Sequence, residues 1–267
     1  MKSLAHGARV VLLRIGAPLA RGGQVTYEFL ELFLDFLRNI PKALMSPNVI
    51  VERFFSLVVS AWFLVAITSF ATGAALALQF GQGMARFGGK LYVPNIVAFA
   101  IVRALGPVFA CLMVAARSGG GVAAELGSMK VTQQIDALKA LGANPTEKLV
   151  APIVIALALG MPFLTFIADV AGITGGLLAA TGSLNIAPTL YLQKTVESVH
   201  IMELVISLAK TSVFGATIGL ISCFIGMRTT TGTSGIGIAT TSAIVAANIF
   251  VLVADLLVTK VLWMLQW

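Results

Sequence analysis

Three charged residues stand inside long apolar stretches and are the first candidates for chemistry: Arg103, Lys210 and Asp255. An unpaired charge in the middle of a bilayer costs at least ~2.5–3.5 kcal/mol, so each of these residues needs a partner, a charged ligand or access to water. Lys210 and Asp255 lie at similar depths, about six or seven residues from the same end of their stretches. We therefore predict an ion pair between them, which either flanks a cavity open to that side or is purely structural.

A second set of candidates lies in the one sizeable polar segment of the chain, residues 117–145. We predict a helix from Ser128 to about Leu141, ended by Gly142, and a flexible turn at the preceding glycine run, 119–121. Its apolar face comprises Val131, Ile135, Leu138 and Leu141. Its polar face comprises Lys130, Gln133, Gln134, Asp136 and Lys139. That face points either at water or at a partner.

Signals for an enzyme or a metal centre are missing from the sequence. GGKL at residues 88–91 lacks the hydroxyl residue and the earlier glycine of a phosphate-binding loop. Cys111 and Cys223 fall in apolar stretches as small fillers, and His6 and His200 belong to no ligand-spaced cluster. We expect no catalysis, no cofactor and no metal in this chain.

The elements that position these residues follow from composition. The chain has 267 residues, of which 58% are hydrophobic and only 11% charged. A soluble domain carries about 25% charged residues, whereas a membrane span needs roughly 20 apolar ones. The sequence predicts an all-α polytopic membrane protein with five transmembrane helices, at about 57–80, 92–116, 149–177, 204–226 and 239–262.

Small residues shape the later spans. The third span carries Pro162 among several glycines, which predicts a kinked or partly re-entrant helix. In spans four and five, small residues recur at four-residue spacing, which lets helices approach closely in lipid. These are Gly215, Gly219, Ala239, Ala243 and Ala247. We favour packing within one chain over a dimer interface for them.

The N-terminal arm, residues 1–56, precedes the transmembrane domain, residues 57–267. Residues 26–40 predict an amphipathic helix, broken afterwards by Pro41 and Pro47. Its charged stripe is Glu28, Glu31, Asp35 and Arg38. A helix with a narrow charged face and a broad apolar one lies flat in the membrane interface. Packing against the spans is the alternative, and the two arrangements are compatible.

Basic residues are distributed unequally between the predicted loops. Seven of the 18 Lys and Arg residues precede residue 54, and four more lie in the loop 117–148. Cytoplasmic loops carry the excess of positive charge, so the N-terminus and the polar segment are predicted to be cytoplasmic. The net charge of +7 thus reflects membrane orientation, and we expect no nucleic-acid partner.

The polar segment and its flanks also carry a resemblance. AAELGSMKVTQQIDALKALGANP is preceded by RALGPVFACLMVAARSGG and followed by LVAPIVIALALGMPFLTFIADVAGITGG. This run resembles the MlaE/YrbE family of ABC-transporter permeases, the membrane subunits that work with MCE proteins in bacterial lipid transport. The similarity extends from about residue 50 to the C-terminus, and it is most specific between Arg103 and Gly176.

The resemblance implies a homodimeric permease of the bacterial inner membrane, with an N-terminal interfacial helix and a cytoplasmic coupling helix. A separate ABC ATPase, which binds ATP and Mg²⁺, docks on that coupling helix. The implied docking residues are Glu125, Thr132, Gln133, Asp136 and Lys139. A periplasmic MCE protein and a phospholipid substrate complete the implied system, which maintains the lipid asymmetry of the outer membrane.

The resemblance further implies that Arg103 lines the substrate cavity near the dimer axis, whereas the cavity-flanking role of Lys210 and Asp255 rests on their depth alone. The family pattern has an acid after the arginine, whereas this chain has Ala104. The partner of Arg103 therefore stays open between an anionic headgroup, a backbone carbonyl and snorkelling to the surface. Asp169 is expected near the outer end of span three, within reach of water.

Two other function classes compete with a permease subunit. A secondary transporter or channel driven by an ion gradient would need several buried acids or paired broken helices, of which the sequence offers few. A structural scaffold would leave the polar segment unexplained.

Overall fold

The computed structural model of the chain describes residues 2–230 and 232–264, with side chains from residue 23 onward. Every regular element within those ranges is helical. The α-helices are α1 (Lys2–Leu44), α2 (Pro47–Leu57), α3 (Trp62–Ala85), α4 (Val93–Ala100), α5 (Gly106–Val114), α6 (Gly120–Val131), α7 (Gln134–Ala140), α8 (Ala151–Leu184), α9 (Pro188–Ser198), α10 (Ile201–Met227) and α11 (Gly232–Met264). Between them lie 3₁₀ turns at Val59–Ala61 and Lys90–Tyr92, and π-helical segments at Ile101–Leu105, Ala115–Gly119 and Thr146–Val150.

Five apolar helical stretches are long enough to cross a membrane. They are Pro47–Ala85, Lys90–Val131, Thr146–Leu184, Ile201–Met227 and Gly232–Met264. Each contains one of the predicted spans, so the all-α polytopic architecture is confirmed. The observed stretches are longer than the predicted spans because helical structure continues past the apolar residues at their ends.

Helix α8 is the centre of the bundle, with 61% of its most apolar window buried. Its close crossing with α3 depends on glycine: a Cβ at Gly73 would overlap the carbonyl of Gly172, and one at Gly175 would overlap that of Phe70. Backbones that approach this closely exclude any larger side chain. The helix runs unbroken through Pro162, so the re-entrant alternative is wrong.

The small residues of α10 and α11 pack inside the chain, as predicted. A Cβ at Gly215 would overlap Met161 of α8, and Gly219 lies against Val154. The alanines of α11 face inward and are buried: Ala239, Ala243 and Ala247. The opposite face of α11, which includes Val245 and Ile249, is exposed in the single chain.

The N-terminal helix α1 packs against the spans, which was one of the two predicted arrangements, and its position in the membrane interface stays a prediction. Phe29 and Phe36 pack against the core of the bundle, whereas Leu30 and Leu34 on the other side are half exposed. The expected break at Pro41 is wrong, because α1 continues to Leu44. A proline one turn from the end removes a single backbone hydrogen bond and leaves the rest of the helix intact.

Candidate functional site

The charged residues inside the apolar stretches form two neighbouring ion pairs. Lys210 Nζ lies 2.9 Å from Asp255 Oδ1, which joins α10 to α11, and the two side chains are 5% and 14% exposed. Arg103 Nη1 lies 3.3 Å from Glu203 Oε1, which joins the second span to α10. The predicted pairing of Lys210 with Asp255 is confirmed, and the placement of either pair in a substrate cavity stays a prediction.

Glu203 is a residue that the sequence reasoning missed. It takes the place of the acid that Ala104 does not supply, and the Arg103 guanidinium also lies 5.1 Å from the centre of the Phe99 ring. A cation over an aromatic face gains further electrostatic stabilisation. The signal was available: Glu203 precedes Lys210 by two helical turns and so lies on the same face of α10.

Lys210 has a second partner, a backbone carbonyl that Pro107 leaves without its usual helical donor. Pro107 has no N–H group, so the carbonyl of Arg103 has no donor four residues ahead. The chain is also π-helical at Ile101–Leu105, where the α-helical ladder is interrupted. Lys210 Nζ donates to this carbonyl at 2.7 Å, and thereby links the second span to α10.

The cavity beside the two ion pairs is small. Arg103, Glu203, Ser207 and Lys210 are among the residues that line it, and its volume is about 30 Å³. That volume accommodates one or two water molecules. A phospholipid headgroup does not fit there, so one chain alone provides no lipid-sized cavity at these charges.

Asp169 lies deeper than its sequence position indicated. It is only 2% exposed, and neither carboxylate oxygen has a hydrogen-bond partner among the described residues. A Cβ at Gly106 would overlap its Oδ1 atom. The expectation that water solvates Asp169 is wrong, because α8 is covered along this face by the second span.

The polar segment folds as two helices instead of the predicted single helix. Helix α6 continues the second span to Val131, and α7 begins at Gln134. Between them Gln133 adopts a left-handed conformation with φ of 61°. Ser128 lies within α6 and does not cap a helix; its carbonyl accepts the N–H of Thr132. The predicted end at Gly142 is confirmed, with φ of 77°.

Two ion pairs hold the polar segment. Arg53 Nη1 donates to both carboxylate oxygens of Glu125, at 2.8 and 2.9 Å, which fixes α6 to α2. Lys130 Nζ donates to both oxygens of Asp136 at 2.9 Å and bridges the turn. The hydrogen bonds from Lys130 hold the pKa of Asp136 below its usual range.

The predicted docking side chains remain mostly accessible. All five are exposed: Glu125, Thr132, Gln133, Asp136 and Lys139. Ile135 is buried beneath them, as predicted for the apolar face, but Leu141 is 84% exposed and does not belong to that face. The turn at Gln133 rotates α7 relative to α6, so residues from the two helices do not share one helical stripe.

The glycine run is helical, and the flexible turn expected there is wrong. Ser118 lies in a π-helical segment and is buried, and its hydroxyl donates to the carbonyl of Leu57 at 2.5 Å. Gly119 and Gly120 pack against side chains of α10 and α11. These glycines allow helices to approach closely, and the segment passes without a loop into α6.

No cluster suited to a metal occurs among the described residues, as judged by groups of three or more His, Cys, Asp or Glu side chains. Cys111 and Cys223 are free and buried inside the bundle. The arrangement therefore offers an inner ion-pair cluster and an exposed, structured polar segment as its candidate functional features.

Comparisons with known proteins identify the family. The family model described as Permease MlaE matches residues 50–261. A probable ABC transporter permease protein of Rickettsia typhi is 42% identical over 199 residues, which are 74% of this chain and 77% of that protein. The chloroplastic protein TRIGALACTOSYLDIACYLGLYCEROL 1 of Arabidopsis thaliana is 35% identical over 73% of this chain and 55% of its own length. A probable ABC transporter permease protein of Synechocystis is 32% identical over 71% of this chain and 72% of its own length. The chain therefore belongs to the MlaE family of ABC transporter permeases.

Proposed function

We propose that this permease moves a phospholipid across or out of the bacterial inner membrane as one half of a homodimer. Its N-terminus and polar segment face the cytoplasm, where a separate ATPase that binds ATP and Mg²⁺ docks. A periplasmic MCE protein exchanges lipid at the opposite end, and the system maintains the lipid asymmetry of the outer membrane. The observation that most strongly supports this proposal is the structure of the polar segment. It is a folded helix pair that presents five exposed side chains at the basic end of the bundle.

The geometry of that segment supports force transmission to the spans. Helix α6 is continuous with the second span, and the Arg53–Glu125 pair ties it to α2 at the start of the first. Movement of a docked ATPase would be passed to two membrane helices without an intervening flexible loop. An exposed loop residue without such connections would have no mechanical effect on the bundle.

A lipid substrate is supported by the character of the exposed surface and by one relative. The outward face of α11 is apolar, and only 17% of its most apolar window is buried. The relative from Arabidopsis is named after a galactose-bearing glycerolipid. Because one chain has no lipid-sized cavity near its inner charges, a cavity between two copies is the arrangement that we propose.

ATP-driven closure would change that shared cavity. A lipid moves only if the two conformations of the dimer differ in their affinity for it. In this scheme Arg103, Lys210 and Asp255 lie beside the cavity, and their existing ion pairs keep them from holding the headgroup permanently. Membership of the MlaE family favours an ABC transporter permease over a transporter driven by an ion gradient.

The first experiment tests docking. We expect Asp136→Lys combined with Gln133→Ala to abolish co-purification of the ATPase, while the permease still unfolds in one cooperative transition only slightly below that of the wild type. The matched control is Glu197→Gln on α9, which also disrupts an exposed lysine–acid pair, since Lys194 Nζ lies 2.7 Å from Glu197 Oε2. Unchanged association in the double variant would contradict the proposed docking surface.

The second experiment tests transport. Vesicles that contain the permease, the ATPase and a fluorescent phospholipid should transfer lipid to an added MCE protein only with hydrolysable ATP. Full activity of the permease alone, without nucleotide, would refute the proposal. Activity that follows an imposed ion gradient instead would point to the competing class of transporter.

A further inference from the structure

A second, larger cleft lies at the basic end of the bundle, between α1, the end of α10 and the start of α11. Its volume is about 320 Å³, which is within the range of small-molecule sites. Its polar lining residues are Arg228, Thr229, Thr230 and Ser242, and its apolar ones include Phe224 and Ile238. The lining is therefore amphiphilic, with one fixed positive charge.

Neighbouring side chains hold Arg228 in place, but its guanidinium remains accessible to a ligand. Its guanidinium lies 5.1 Å from the centre of the Phe224 ring, and Phe29 of α1 packs edge-on against that ring at 5.4 Å. Arg228 Nη1 lies 3.3 Å from Glu28 Oε2, and the arginine side chain is 41% exposed. A planar guanidinium held by an aromatic face keeps donors free for a second acceptor, because it carries five N–H groups.

Thr229 lines the cleft but does not offer it a hydroxyl. It is only 6% exposed, and its enclosed Oγ1 atom lies towards Gly127 of α6. The anion-binding groups of the cleft are therefore Arg228 and the start of α11. The first turn of α11, which includes Gly235, also borders the cleft, and helix N-termini favour anions.

The apolar side of the cleft distinguishes a lipid from a soluble anion. Ile238 lines the cleft and is 66% exposed, and it continues into the exposed apolar face of α11 through Val245. A ligand in this cleft thus has its polar group beside Arg228 and its chains along a surface that faces the bilayer.

We propose that this cleft binds one anionic glycerophospholipid of the adjacent leaflet, with its phosphate at Arg228 and its acyl chains along α11. The inference rests on the proposed membrane placement, but it does not require that the bound lipid be transported. The lipid would connect α1 to the start of α11, and it is separate from the inner ion-pair cluster.

The test measures lipid binding to the purified full-length chain by native mass spectrometry, without ATPase. Phosphatidylglycerol is compared with phosphatidylcholine of the same chains and with inorganic phosphate. We expect one phosphatidylglycerol to bind about tenfold more tightly than phosphatidylcholine, because the choline cation of phosphatidylcholine offsets the charge of its phosphate and is repelled by Arg228. Arg228→Gln should remove that preference, and Ser242→Trp should displace both lipids by filling the cleft.

Two further variants decide the assignment. Glu28→Gln removes the internal competitor of the phosphate and should tighten binding of phosphatidylglycerol. Arg38→Gln is the matched control, an exposed arginine on α1 that lies 4.0 Å from Asp35 and outside the cleft; it should change nothing. The proposal is overturned if Arg228→Gln and Ser242→Trp leave phosphatidylglycerol binding intact, or if Arg38→Gln weakens it equally. Binding of inorganic phosphate that Ser242→Trp does not alter would assign the site to a free anion instead.

Because no ATPase is present, these results are independent of transport. If the chain does not bind lipid in this cleft but ATP-driven lipid transfer is intact, only this inference is refuted. Loss of ATPase docking with intact lipid binding would refute only the proposed function.

Discussion

Lys210 and Asp255 join α10 to α11 inside the bundle, and Lys130 and Asp136 bridge the two helices of the polar segment at its surface. The distance from Nζ to Oδ1 is 2.9 Å in both pairs. The inner side chains are 5% and 14% exposed, whereas the outer ones are 31% and 50% exposed. The same pair of side chains at the same distance therefore lies in two different environments, one buried and one exposed.

The difference arises from the energy of desolvation. Removing one partner of a buried pair leaves an uncompensated charge in a low dielectric, whereas water replaces a lost partner at the surface. The bundle therefore loses much of its stability if either residue of the inner pair is removed alone. The outer pair can exchange its partner at little cost, a property that the proposed docking of an ATPase would require.

The largest expected effect comes from breaking the inner pair. Asp255→Asn should destabilise the chain by about 3–5 kcal/mol, because Lys210 keeps a buried charge without its acid. The measurement is thermal or denaturant unfolding in detergent. In the double variant Lys210→Met with Asp255→Leu, about half of the lost stability should return, with a residual loss of about 1–3 kcal/mol because the Arg103 carbonyl loses its donor. Equal losses in the single and double variants would contradict this view.

An intermediate effect is expected at the Arg53–Glu125 pair, whose side chains are 24% and 41% exposed. Arg53→Gln should lower the free energy of unfolding by up to about 1 kcal/mol, since water partly replaces the lost contact. A double-mutant cycle with Glu125→Gln isolates the coupling between the two side chains. A coupling energy as large as that of the inner pair would mean that burial does not determine how much an ion pair contributes to the stability of this protein.

Substitutions at Gln133 can separate the role of its left-handed backbone conformation from the role of its side chain. Glycine adopts φ near 61° without strain, so Gln133→Gly should raise the stability by about 0.5–1 kcal/mol or leave it unchanged. Gln133→Val should instead destabilise the turn. If the glutamine side chain contacts the ATPase, Gln133→Gly should weaken co-purification although the fold is kept. Intact association would assign Gln133 to the turn alone.

The smallest effect is the pH dependence of the outer pair. Lys130 lowers the pKa of Asp136, so the stability that this pair contributes is present above the usual carboxylate pKa of about 3.9 and is lost only as the pH falls further. The difference in unfolding between the wild type and Asp136→Asn should therefore be constant from pH 8 to pH 5. A difference that changes within this range would mean that Lys130 does not hold Asp136 in its ionised form.

Several features of the site were predictable from residue type and spacing. The equal depth of Lys210 and Asp255 was sufficient to predict their contact, because two regular helices of known rise place residues at computable heights. Gly142 ended its helix as predicted, since glycine adopts positive φ easily. The within-chain packing of Gly215 and Gly219 followed from the small-residue spacing.

Other features depended on contacts between distant segments. Gln133 interrupts a strongly periodic helical pattern, and nothing local indicates it: the turn forms where Ile135 is buried and Lys130 reaches Asp136. The glycine run at 119–121 is helical, and its first two residues pack against α10 and α11. Glu203 became the partner of Arg103 through contact between helices one hundred residues apart.

The sequence by itself determined that five apolar helices cross the membrane, that basic residues gather at one end and that a polar segment is retained there. These properties are sums over many residues, and the bilayer enforces them without regard to neighbours. The tertiary structure alone decided that Arg103 meets Glu203, that Asp169 is enclosed and that two ion pairs of equal length differ in burial. Those outcomes depend on desolvation, which is a property of the packed surroundings and not of the residue.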